Sequence, residues 1–139
     1  VGRAINPLTL EGQIEGGIVM CIGYALTEHY IQEEGKPWTN VMARYKTPSI
    51  THAPSITSHI VEHELSTGPF GAKGMGELPS IVTAPAITNA IYNATGVRVR
   101  SLPVDQDTLL HAINAGATEV ELGWGDRESI PTIEFGGEH

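Results

Sequence analysis

Gly68-Pro69-Phe70-Gly71-Ala72-Lys73-Gly74-Met75-Gly76-Glu77-Leu78-Pro79 is the stretch on which the reading of this chain turns. Glycine stands at 68, 71, 74 and 76, and a single carboxylate, Glu77, follows the last of them. Glycine is the residue for positive φ and for close approach of the backbone to a ligand. A loop of this kind leaves main-chain N–H groups free to point at an anion. The apolar segment from Ile81 to Ala94 then reads as a helix, with Pro79 or Pro85 suited to its first turn and Gly96 to its C-terminal cap. One acid is thus presented where a glycine loop meets a helix start. Such a carboxylate can serve as a general base. It can equally do no more than complement the helix dipole.

Upstream, Leu10, Ile14, Ile18, Cys21, Ile22, Ala25 and His29 recur at three- and four-residue steps, predicting a helix from about Leu10 to Ile31 with Thr9 as its cap. That helix contains Gly12, Gly16, Gly17 and Gly23. Each interior glycine costs about 0.5–1 kcal/mol relative to alanine, a loss that close packing against a protein element or a cofactor would offset. Val41 to Lys46 reads as a short strand, Thr47 to Ser55 as an extended loop, and the β-branched run Ile56 to Leu65 as a strand. Val97 to Leu102 alternates like a strand, and Asp105 opens a last helix to about Asn114. The expected class is α/β, with about three helices and short strands.

The 139 residues suit one domain, and no apolar run approaches the ~20 residues of a membrane span. A net charge of -8 with scattered Lys and Arg disfavours nucleic acid as a partner. Cys21 is the only cysteine, so no internal disulfide forms; a buried core thiol and a reducing cytoplasm are expected. The chain does not begin with Met.

His59-Ile60-Val61-Glu62-His63 matches His-x-x-Glu-His, an inverted zinc-peptidase signature. That chemistry needs a helix to put both imidazoles on one face, whereas the flanking residues favour a strand, and a further ligand would have to come from the tail, for example Glu134. Solvent-facing histidines without zinc are expected. Gln13 sits one turn into the glycine-studded helix, where an amide donates and accepts at once or simply meets solvent. Lys73, inside the glycine loop, pairs with a phosphate or is solvated.

The loop Gly71-Ala72-Lys73-Gly74-Met75-Gly76-Glu77-Leu78-Pro79 resembles one near the C-terminus of the molybdenum-binding subunit of the xanthine dehydrogenase and aldehyde oxidase family. Three more stretches resemble that family in the same order: Gly2-Arg3-Ala4-Ile5-Asn6-Pro7 with Glu11-Gly12-Gln13-Ile14-Glu15-Gly16-Gly17, then Tyr45-Lys46-Thr47-Pro48, then Ala90-Ile91-Tyr92-Asn93-Ala94-Thr95-Gly96-Val97. The resemblance implies the C-terminal part of the family's molybdenum-binding domain. Residues 1–115 would be a partial molybdopterin-binding domain, and 116–139 an acidic, glycine-containing tail lying on a partner or partly disordered. It implies an oxidoreductase that hydroxylates an aldehyde or N-heterocycle with water as the oxygen source. Glu77 would be the catalytic base, with Gln13, Lys73, Gly74, Met75 and Gly76 binding the cofactor. That cofactor would be molybdopterin with molybdenum, in its plain or cytosine dinucleotide form, and no side chain here would ligate the metal. [2Fe-2S] clusters and FAD are expected on partner subunits or domains. The family's molybdenum region is several times longer than this chain, so the expected partners are the remainder of that subunit, the iron–sulfur and FAD subunits and a small-molecule substrate. A split subunit, a proteolytic fragment or an excised piece would each fit. A non-catalytic assembly or binding domain that keeps the loop is the alternative.

Overall fold

The structure, a computed structural model, describes residues 1–120. Helix α1 spans Pro7–Leu26, α2 Met42–Tyr45, α3 Leu78–Thr95 and α4 Gln106–Asn114. Strands β1 (Gln32–Glu33) and β2 (Lys36–Pro37) form an antiparallel ribbon, and β3 (Arg98–Val99) and β4 (Glu119–Val120) a parallel pair. The mixed class read from the sequence stands, with helices carrying most of the order.

Local chemistry explains the boundaries. Asn6 caps α1, its side chain accepting from the Thr9 amide at 3.3 Å, and Pro7 occupies the first helical position, where a missing N–H costs nothing. The helix therefore begins three residues before the expected start. It ends at Leu26, short of the expected Ile31, because the amides of both Thr27 and Glu28 turn back to the Gly23 carbonyl. Gly96, at φ 77°, closes α3, and Asp105 caps α4. Three expected strands are corrected. Within 41–46, residues Met42–Tyr45 form the short helix α2, whose Met-Ala-Arg-Tyr sequence has no β-branched residue to resist it, and Lys46 ends it at φ 59°. Residues 56–65 have no regular secondary structure and belong to no sheet. Their backbone meets the chain's first residues: the Val1 nitrogen donates to Val61 O and the His63 amide to Val1 O, each at 3.0 Å. The ladder expected over 97–102 is confined to Arg98–Val99.

Helix α1 packs on α3, the most extensive contact between elements. Gln13, Gly17 and Cys21, spaced four apart, form one stripe of α1. A Cβ at Gly17 would lie 3.1 Å from Pro79 Cβ, so glycine is what lets the start of α3 come this close. The Cys21 thiol is buried, as expected, and its Sγ is 2.9 Å from Ser80 O. Beyond this crossing, Ala25, Val97, Val99, Val104 and Ala112 complete a small core, and the Val104 amide bonds the Ala25 carbonyl at 2.7 Å. Residues 118–120 return along Arg98–Arg100, with amide bonds from Arg98 to Thr118 O and from Arg100 to Val120 O. The rest of the acidic tail, residues 121–139, lies outside the described residues.

Candidate functional site at the glycine loop

Three segments converge on the loop before α3. The Gly71 carbonyl accepts from the Arg3 amide at 2.9 Å and from the Leu65 amide at 3.1 Å. Gly2 is buried, and a Cβ there would overlap the backbone of Gly71, Ala72 and Lys73. The Ala4 amide is taken by the Glu62 carboxylate. The loop turns through Phe70 at φ 53° and Gly71 at φ 78°, a left-handed pair that is easy for glycine and rare for a bulky residue. Gly2 and Arg3 lie in a matched stretch, yet sequence reasoning assigned them no part in the site. Their partners are some seventy positions away, beyond the reach of any spacing argument.

From Lys73 to Gly76 the loop makes a single hydrogen bond to the rest of the protein among the described residues: Gln13 Nε2 donates to Gly76 O at 2.9 Å. The main-chain N–H groups of Lys73, Gly74, Met75, Gly76 and Glu77 donate to no protein acceptor among those residues. They precede the positive end of the eighteen-residue α3. Glu77 is the N-terminal cap residue. Its carbonyl takes the Ser80 amide at 3.0 Å and the Ser80 hydroxyl at 2.7 Å, while its side chain makes no capping bond and stands exposed. Lys73 and Gly74 are exposed and Met75 half-buried. Thus Gln13, Gly76 and Glu77 are brought together, with Lys73, Gly74 and Met75 on the adjoining turn.

A polar cofactor fits this surface. Cβ atoms at Gly12, Gly16, Gly74 and Gly76 would each meet nothing within 4 Å. The backbone of α1 at Gly12 and Gly16 and of the loop at Gly74 and Gly76 is therefore uncovered, and the loop's five N–H groups and the Gln13 Oε1 carry no hydrogen bond among the described residues that would compete with a flat or anionic group.

The zinc-peptidase geometry is missing. Residues 59–63 are not helical, Glu62 is occupied by the Ala4 amide, and no three His, Cys, Asp or Glu residues converge among the described residues. A cavity of about 460 Å³ opens at the other end of α1, lined in part by Tyr24, Glu28, His29 and Tyr45. There the Glu28 carboxylate, hydrogen-bonded to the Tyr45 hydroxyl, holds that phenol above its ordinary range, aided by desolvation. Tyr24 is about 16 Å of helix rise from Gln13, so this cavity is separate from the loop.

Residues 1–54 match the model of a molybdopterin cofactor-binding domain. The chain is 42% identical over 112 residues to the 6-hydroxypseudooxynicotine dehydrogenase complex subunit gamma of Paenarthrobacter nicotinovorans, covering 78% of this chain and 14% of that protein. It is 40% identical over 116 residues to an aldehyde oxidoreductase of Megalodesulfovibrio gigas, covering 83% of this chain and 12% of that one. The xanthine dehydrogenase molybdenum-binding subunit of Escherichia coli O157:H7 is 39% identical over 105 residues, 74% of this chain and 14% of the relative. Among solved structures, quinoline 2-oxidoreductase from Pseudomonas putida 86 superposes with a TM-score of 0.74 at 31% identity, covering 81% of this chain and 15% of that one. The chain therefore spans about one seventh of the length of the proteins it matches.

Proposed function

Because this chain belongs to the xanthine dehydrogenase and aldehyde oxidase family, as a segment of its molybdenum-binding subunit, we propose that it contributes a catalytic base and one wall of the cofactor site. The proposed reaction is hydroxylation of an aldehyde or an N-heterocycle with water as the oxygen source. The observation that carries this reading is the joining of Gln13 and Gly76 immediately before Glu77. An ionised carboxylate offers only acceptor oxygens, and none of those on Glu77 is engaged in capping α3. Glu77 takes up, at a carboxylate oxygen, the proton released as water becomes the nucleophile. The five amides from Lys73 to Glu77, the Gln13 Oε1 and the Lys73 ammonium hold the anionic and heterocyclic edges of molybdopterin, plain or as its cytosine dinucleotide. When bound, that cofactor supplies the redox centre that receives the substrate's electron pair.

The remaining walls and the substrate pocket belong to the longer subunit. Iron–sulfur and FAD subunits or domains are the proposed electron acceptors. The cytoplasm is the proposed compartment, and no helix among the described residues is long and apolar enough to cross a membrane. The test is Glu77→Gln in the assembled enzyme. Gln keeps the shape but cannot take the proton, so reduction by substrate should slow by about 10²–10⁴-fold while the molybdenum content stays. Near-normal reduction in the loaded variant would show that the base lies elsewhere.

A further inference from the structure

From the one bond that holds the loop we infer that Gln13 is a positioning residue for Glu77, a role that rests on the reading of Glu77 as base. The argument begins with peptide geometry. The Gly76 carbonyl and the Glu77 N–H belong to one rigid planar unit and point in opposite directions. Donation from Gln13 Nε2 to Gly76 O, at 2.9 Å, therefore fixes the plane from which the Cα of Glu77 departs. The donor can only be the amide nitrogen, because the acceptor is a carbonyl oxygen.

Glu77 is held on its C-terminal side by the bonds of Ser80 and Ile81 to its carbonyl, and on its N-terminal side Gln13 makes the one hydrogen bond among the described residues. A Cβ at Gly74 or Gly76 would meet nothing within 4 Å, and no other hydrogen bond reaches the backbone from Lys73 to Gly76 among the described residues. Beyond Glu77 the chain is fixed by α3, through the bonds of Ser80 and Ile81 to Glu77 O. Behind Gly71 it is fixed by Arg3 and Leu65. The intervening residues form a span between two anchors with one strut, and the strut is Gln13. Its place on α1 is itself determined, because Gly17 and Cys21 on the same stripe lock that helix against Pro79 and Ser80. Gln13 Oε1 accepts no hydrogen bond among the described residues, so the same amide keeps an acceptor for the cofactor while its N–H holds the backbone before the base.

Lys73 supplies a readout independent of activity, since the Lys73–Gly74 bond is a trypsin site inside the span. Gln13→Ala and Gln13→Glu both remove the N–H donor, and the second keeps the length and shape of the side chain. Each should speed cleavage after Lys73 by about 2- to 10-fold, the factor one neutral hydrogen bond supplies. Cleavage after Lys46, on the far side of α2, should not change. In the assembled enzyme both variants should lower kcat by about 10- to 100-fold at matched molybdenum content, with KM little altered. Unchanged cleavage after Lys73, a parallel rise at Lys46, or activity that falls only in step with molybdenum loss would each overturn the role. Glu77→Gln, run alongside, separates the two failures. Turnover surviving in that variant removes the base, and the positioning role with it, whatever trypsin reports at Lys73.

Discussion

Asp105 takes both the hydroxyl and the amide of Thr108 on its carboxylate, at 2.6 and 2.8 Å, and those two bonds hold its pKa below the ordinary carboxylate value. A depressed pKa means stability that is complete above the ordinary range and is lost as pH falls through the folded-state value. Asp105→Ala should therefore cost about 0.5–2 kcal/mol near neutrality. Asp105→Asn should keep most of the cap and lose less stability than the parent between neutral pH and about pH 3. Urea melts at the two pH values measure both, and an equal acid loss in parent and Asn variant would show that the cap is energetically silent. This residue was legible in the sequence because a cap and its partner lie three positions apart. So was Gly96. The partner of Gln13 was not, because it sits sixty-three positions away and only the crossing of two helices brings it near.

Helix α1 presents glycine in two different senses. At Gly23 an added Cβ would overlap Glu28 and Pro48, and at Gly17 it would press on Pro79 at 3.1 Å, so packing favours glycine at both. At Gly12 and Gly16 it would meet nothing, although both lie inside the helix. Ala at these two positions should therefore stabilise the chain on its own by about 0.5–1 kcal/mol each. In the assembled enzyme the same pair should lower molybdenum content, since methyl groups would occupy the face assigned to the cofactor. Helical content of the chain by circular dichroism and metal analysis of the complex provide the comparison. A gain in the first with full metal in the second would show that this face stays in solvent. The period of α1 was readable because its apolar residues repeat. The strand expected over 41–46 was not a strand, since a run this short has no period of its own and its neighbours decide it.

Taken whole, the described residues bury few large side chains. Phe70 is 84% exposed and Ile50 90%, and Leu8, Val61, Ile81 and Val82 stand mostly in water as well. Apolar surface of this extent is a mark of surfaces that are covered in assembly. The chain in isolation should associate, or bind a hydrophobic dye and melt without a sharp transition. Light scattering coupled to size exclusion tests this, and a compact monomer with a cooperative melt would count against it. No sequence pattern disclosed which apolar residues lack cover, because the pattern marks what should be buried and is silent on what buries it. The Gly71 oxygen carries a consequence of another kind. Two amides meet there, one from the chain's third residue and one from its sixty-fifth, and both must arrive before the loop has its form. The bond from Leu65 is local, but the one from Arg3 joins residues sixty-eight positions apart, and contacts so distant close slowly, while α3 and α4 need only neighbours. The acid at 77 therefore rests on a helix that exists before its surroundings do. A nascent or damaged subunit can display nearly all of its helical signal and still lack the site, so activity reports on a closure between distant parts of the chain and helical content on near ones.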